Sequence, residues 1–278
     1  MKRTISNLSA MGLLLVSATA QTAPIVDEKK WTESFEVGDA PRLTVDVIWG
    51  DVIVEKGRSD RIEMTIESVR RADDQVSFER SLEQIPLNIG QDKDDIYLRV
   101  GRDWRHWNTL PPCRGCSVVV NVVVRVPSNT AVDVSSVNDG EVIVSDVAGV
   151  VTASNVNGGV STSGLARCET IESVNGDVLV GFVQSPQRDC DIETLNGDIN
   201  VSLPSGANAD FEVSLSNGRM RSEIDLSPKS MPAQVEHVQR GDRHHYEIEK
   251  RAGLRVGRGG KALTLKSLNG DVLVERSQ

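Results

Sequence analysis

In five of the repeated turns of this chain of 278 residues a carboxylate follows a glycine: Asp51, Glu141, Asp177, Asp198 and Asp271. Calcium prefers such oxygen ligands, and Asp177 and Asp198 become neighbours able to share one cation if their segments stack. Calcium-binding β-rolls, however, use a nine-residue glycine-rich repeat with denser acids. Here Gly140, Gly158, Gly176, Gly197 and Gly218 are spaced by 18, 18, 21 and 21 residues. An exposed carboxylate costs little in water, so solvated turn acids are the better account, and no cofactor is expected.

A second group of reactive residues lies in the loop from Gly101 to Cys116, which contains Trp104-Arg105-His106-Trp107 and Pro111-Pro112-Cys113-Arg114-Gly115-Cys116. Redox Cys-x-x-Cys pairs sit at a helix N-terminus that lowers the thiol pKa; here the β-rich run Ser117-Val118-Val119-Val120 follows instead. A zinc site needs four ligands, and His106, Cys113 and Cys116 supply three. A local Cys113–Cys116 clip is therefore expected. Trp104 and Trp107, with Arg102 and Arg105, are residue types that dominate binding hot spots. They serve equally well to cover an exposed sheet end, and both readings stand. His244-His245 lacks a third ligand nearby and reads as part of a solvated stretch. Gly257 to Gly260 lacks the lysine of a phosphate loop, and no Ser/His/Asp motif is recognisable.

The elements that must position these groups are repeats. An apolar residue, then Asn-Gly or Asn-Asp-Gly, then an alternating apolar run recurs at Asn138, Asn157, Asn175, Asn196, Asn217 and Asn269. A diverged copy is Trp49-Gly50-Asp51-Val52. Counting from each Asn, position -4 holds Val134, Ala153, Ile171, Ile192, Val213 and Leu265. Position +3 holds Val160, Val178, Ile199, Met220 and Val272, and +5 holds Val180, Val201 and Val274, a column that Val144 joins from one place later in the Asn138 copy. Period-two alternation predicts strands with one buried face. The extra Asp139 in the Asn138 copy suggests a bulge. Position -1 is also apolar (Val137, Val156, Val174, Leu195, Leu268), with the wrong parity to face inward beside -4. A bend between them is inferred, bringing both to the core. Asn and Gly tolerate the left-handed backbone of tight turns, and the asparagine amides at 157, 175, 196, 217 and 269 are expected to stack as a ladder. The near-constant period favours coils paired in parallel over an array of hairpins.

These signals predict an all-β fold, a right-handed parallel β-helix or β-roll solenoid with rungs of 18–21 residues. It begins near Phe35 after a linker at 21–34, with inserts at 101–116 and 228–243 and a short helix over 73–84 marked by Val76, Leu82 and Ile85. Cys168 lies seven residues before Asn175 and Cys190 six before Asn196. Adjacent strands are ~4.8 Å apart, within disulfide reach, so Cys168–Cys190 is expected. Residues 1–20 read as a secretory signal: basic Lys2 and Arg3, a short apolar stretch, and Ala18-Thr19-Ala20 before the cut. A periplasmic or secreted location follows, without a transmembrane anchor, and four cysteines suit an oxidising compartment. The net charge of -9, falling to -11 once Lys2 and Arg3 are removed, argues against nucleic acid as a partner.

The Asn-Gly-Asp-Val turns, the Val126-Pro127-Ser128 corner and the closing run from Gly259 to Val272 resemble the bacterial putative-adhesin family, domains of unknown function. The likeness covers 35–278 and is strongest over 117–278. It implies the parallel β-helix or β-roll fold and supplies no catalytic residues; its adhesin label rests on fold analogy. The expectation is thus a non-enzymatic, adhesin-like scaffold that binds an envelope protein or polysaccharide and is compatible with self-association. The rivals are a polysaccharide lyase or hydrolase, which needs clustered acids in a cleft, and an envelope-stress sensor acting through a protein partner.

Overall fold

The computed structural model describes residues 23–101, 113–231, 234–240, 243–249 and 251–277. The strands are β1 (Ile25–Glu36), β2 (Arg42–Asp46), β3 (Val52–Lys56) and β4 (Arg61–Ala72), then helix α1 (Gln75–Gln84). There follow β5 (Leu87–Asp92), β6 (Asp95–Val100), β7 (Cys116–Val126), β8 (Ala131–Asn138), β9 (Val142–Ser145), β10 (Val150–Asn157) and β11 (Val160–Leu165). Next come β12 (Arg167–Asn175), β13 (Val178–Phe182), β14 (Cys190–Asn196), β15 (Ile199–Leu203), β16 (Ala209–Asn217) and β17 (Met220–Ser222). The last are β18 (Ser227–Lys229), β19 (Gln234–Arg240), β20 (Arg243–Glu249), β21 (Ala252–Val256), β22 (Ala262–Asn269) and β23 (Val272–Arg276).

Two large sheets result. Sheet I runs β1-β4-β7-β3-β9-β11-β13-β15-β23-β17, and sheet II runs β18-β21-β16-β22-β14-β12-β10-β8-β2-β6-β5. Each repeat gives the strand before its Asn to sheet II and the strand after its Gly to sheet I. The Asn-Gly corner therefore carries the chain between sheets and does not close a hairpin. Positions -4 and +3 align across neighbours, as in Ala153↔Ile171↔Ile192↔Leu265 and Val160↔Val178↔Ile199↔Val272. Their side chains, with those at +5, join one hydrophobic cluster shared by both sheets.

Several expectations are corrected. Both sheets are mixed, so an all-parallel coil with repeats in chain order is not what forms. Parallel pairing holds from β7 to β17 and from β16 to β6; antiparallel β1 and β4 lie at one end, β18 and β21 at the other, and β5 pairs antiparallel to β6. The order is also permuted: β22 and β23, last in the chain, lie between the Asn196 and Asn217 repeats. Most of the expected 21–34 linker is strand, because β1 starts at Ile25 and pairs along its whole length with β4. The 228–243 insert contains the last two residues of β18, the whole of β19 and the first residue of β20, with which β19 pairs as a hairpin. Helix α1 starts at an Asp74 cap whose carboxylate accepts the Ser77 N–H at 2.7 Å. Of its apolar marks only Ile85 is buried, while Val76 and Leu82 are exposed.

The turn glycines also work differently from the expectation. Gly158, Gly176, Gly197 and Gly270 are not in the left-handed region. A Cβ at Gly176 would instead lie 2.2 Å from the Gly158 carbonyl oxygen, and one at Gly270 1.8 Å from that of Gly197. Close approach of stacked backbones is what excludes a side chain here.

Cys168–Cys190 and Cys113–Cys116 are both paired, with Cα separations of 5.4 and 5.6 Å. The unequal offsets of Cys168 and Cys190 are absorbed where the β10–β12 register shifts: Cys168 pairs with Val151, Thr170 with Thr152, and Glu169 is left over. Among the described residues no helix is long and apolar enough to cross a membrane.

Candidate functional site

Position -1 faces outward. In β10, β12, β14 and β22 the burial alternates without a bend, so -4 and -2 point to the core while -3 and -1 point to solvent. Val156, Val174, Leu195 and Leu268 are exposed, from 37% for Val156 to 44% for Leu195. Their strands are adjacent in the order β10, β12, β14, β22, so the four side chains form one apolar stripe across the sheet at about 4.8 Å per step. The bend inferred from hydrophobicity alone does not exist; strand parity already placed this column outside.

The stripe floors a shallow groove of about 520 Å³. Its -3 wall carries Ser154, Glu172, Glu193, Lys266 and Ser214, and the Lys266 ammonium donates to Glu193 at 2.6 Å. Ser216 takes the -1 place in the outermost repeat. The repeat asparagines follow directly along the chain. Asn157 Nδ2 donates to Asn138 Oδ1 at 2.8 Å, Asn175 to Asn157 at 2.9 Å and Asn196 to Asn175 at 2.8 Å. The line continues with Asn269 to Asn196 at 2.7 Å and Asn217 to Asn269 at 2.9 Å.

Position -2 beneath the groove is a polar column that the sequence analysis did not single out. Ser136, Ser173, Thr194 and Ser267 donate hydroxyls, and Asn155 its amide, to the carbonyls of Gly50, Gly158, Gly176, Gly197 and Gly140 respectively. All five are buried. The available signal was a short polar residue at one fixed offset from five of the six repeat asparagines, Leu215 taking that place in the Asn217 copy.

The turn acids are engaged in the same stacking. Asp177 Oδ1 accepts the Asp198 N–H at 2.8 Å, Asp198 Oδ1 the Asp271 N–H at 2.7 Å, and Asp271 Oδ1 the Arg219 N–H at 2.9 Å. Asp51 Oδ1 accepts the Glu141 N–H at 2.9 Å. Each of these four aspartates thus spends an oxygen on a neighbouring turn, and the described residues contain no cluster of three or more metal-ligating side chains. Arg102, Trp104, Arg105 and Trp107, singled out as a contact loop, lie outside the described residues, as does the proposed leader.

A separate charged cluster holds the β18–β21 edge. Asp210 on β16 is buried, accepts from Arg255 Nε at 2.7 Å and Nη2 at 3.1 Å, and accepts from Lys229 Nζ at 2.9 Å. The Arg255 hydrogen bonds, opposed by burial and helped by Lys229, lower its pKa to about 2. On the outer face of sheet II, burial and the Asp46 charge push the Asp133 carboxyl up.

No protein-family model matches the chain, and no curated protein matches it in sequence. Among solved structures, a putative cell adhesion protein from Clostridium sporogenes is 11% identical, with a TM-score of 0.46 over 90% of this chain and 100% of its own. A putative adhesin from Bacteroides fragilis is 10% identical, with a TM-score of 0.37 over 90% and 97%. A putative lipid binding protein from Parabacteroides distasonis is 9% identical, with a TM-score of 0.26 over the same shares. Likeness at these scores carries no statement about ligands.

Proposed function

We propose that the protein is an exported, non-enzymatic binding module of the cell envelope, adhesin-like in role, whose contact surface is the stripe Val156–Val174–Leu195–Leu268. In this reading residues 1–20 are a leader cut after Ala20, and the repeats wind as a right-handed solenoid between antiparallel end strands. The partner is an envelope protein or polysaccharide. The observation that carries the reading is the outward apolar column itself. A repeat that places valine or leucine at one solvent-facing position on four adjacent strands keeps water on an ordered apolar line, and such patches mark interaction surfaces. The Glu and Lys wall at -3 supplies the polar rim that recognition surfaces carry.

The test is binding to fractionated envelope material, with protein and polysaccharide fractions scored separately. The variant Val156→Ser/Val174→Ser/Leu195→Ser/Leu268→Ser should lose retention while its melting temperature stays near that of the parent, because these side chains lie on the outer face of the sheet and none belongs to the buried core. Retention unchanged in this variant but lost in Trp104→Ala/Trp107→Ala would move the contact to the other loop and overturn the assignment.

A further inference from the structure

Strand β1 pairs with β4 along one side, and among the described residues no strand pairs with its other side. It is twelve residues long, contains no proline, and its pairing with β4 runs from Ile25↔Ala72 to Glu36↔Arg61 without a register shift. A straight edge of this length presents a row of unpaired N–H and C=O groups, which proteins ordinarily shorten, bulge or cover.

The charges along β1 say what fits it. A second β1 joined antiparallel across a two-fold axis perpendicular to the sheet would oppose residues that face the same side, so the axis must fall on a residue. Among axis positions from Lys29 to Glu33, which keep most of the strand paired, four put like charges opposite each other. Axes on Lys29, Lys30 and Glu33 oppose each of those residues to its own copy, and one on Thr32 opposes Glu28 to Glu36. An axis on Trp31 opposes Lys29 to Glu33 twice, Asp27 to Phe35 and Glu28 to Ser34, with no like charges directly opposite. Within the protomer Glu33 faces the buried Met64 across the β1–β4 ladder and makes no ion pair among the described residues. Trp31, beside it on the same face, is only partly buried and packs against the core. The missing cation and the missing cover are both supplied by a second copy in this one register.

We propose that the protein forms a two-fold dimer by antiparallel β1–β1 pairing centred on Trp31, continuing sheet I across both protomers. This is an isologous contact, made by the same strand on each side. Sedimentation of the purified protein over a range of concentrations should show a monomer–dimer equilibrium, and hydrogen exchange in β1 should slow as the dimer fills. Lys29→Glu or Glu33→Lys alone places two like-charge pairs across the axis and should weaken the dimer by about tenfold. The double reversal Lys29→Glu/Glu33→Lys should restore it. Both residues are exposed, but Lys29 also pairs with Asp27 at 2.8 Å within the protomer, so Glu33→Lys, which leaves that pair intact, is the single variant whose monomer melting should be unaffected and serves as the folding control. A monomer at every concentration overturns the proposal. So does a dimer indifferent to the single reversals, a double variant as weak as the singles, or protection of β1 only by a strand from another protein.

Discussion

Thr194 and Leu195 are adjacent in the chain and opposite in role. The Thr194 hydroxyl is buried on the Gly176 carbonyl at 2.9 Å, while Leu195 stands in solvent. Thr194→Val should therefore lower stability by about 1–3 kcal/mol, because a buried carbonyl loses its partner, whereas Leu195→Ser should cost close to nothing. Equal melting curves for the two variants would contradict the assignment of faces. The asparagine ladder makes a second prediction at this scale. Deamidation requires the glycine nitrogen to attack the preceding Asn Cγ and expel ammonia. Gly176, Gly197 and Gly270 instead donate their N–H to the carbonyls of Asn196, Asn269 and Asn217. Asn217 is the outermost member: its Nδ2 donates to Asn269, and no repeat lies beyond it to engage its Oδ1. Peptide mapping after incubation at mildly alkaline pH should find deamidation at Asn217 before Asn175, Asn196 or Asn269. Conversion first at Asn196 would show that the ladder gives no protection.

The edge of sheet II is held by β18 and β21, and Asp210 is the residue that joins both to β16. Its carboxylate is favoured in the folded state, with a pKa lowered from 3.8 to about 2. The sign follows: the stabilisation is complete above the unfolded value and is lost as pH falls through about 2. The melting-temperature gap between the parent and Asp210→Asn should thus be constant above about pH 4 and close between there and pH 2. A gap that widens on acidification would contradict the latch. Individual strands were legible because alternation is a local property: the -4, +3 and +5 columns could be read directly. The exposed -1 stripe was misplaced because hydrophobicity was allowed to outweigh parity, although the two-residue period turns every odd step to the opposite face. The -2 column was overlooked because short polar residues in a strand look unremarkable until a carbonyl is found beneath them. The β1 edge was invisible because its partner, β4, lies twenty-five to forty-seven residues away with no repeat to mark it.

Across the whole molecule, a repeat fixes which strands are alike but not the order in which like strands stack. Any two copies offer compatible asparagines, glycines and apolar columns. The order is therefore decided by what the connections permit, and the chain's last repeat fills the gap between the copies at Asn196 and Asn217. Its ladder bond to Asn196 spans 73 residues, against 18 and 21 for Asn157–Asn175 and Asn175–Asn196. Closing such long-range pairings is slow relative to local ones, so the outer copy stays without its inward neighbour until the C-terminus is in place. A chain ending at Lys261 tests this. If the repeats stacked in chain order, removing β22 and β23 would strip only a terminal rung and leave β16 on β14. In the observed order it removes the strand that joins β16 to β14 and β17 to β15. Hydrogen exchange should then show β17 unprotected, together with Ser214 to Asn217 of β16, which lie beyond its antiparallel pairing with β21, with β10 to β13 still protected by their own neighbours. Persistent protection of β17 would mean that the ladder closes up by one repeat, and that the copies are interchangeable in stacking as well as in sequence.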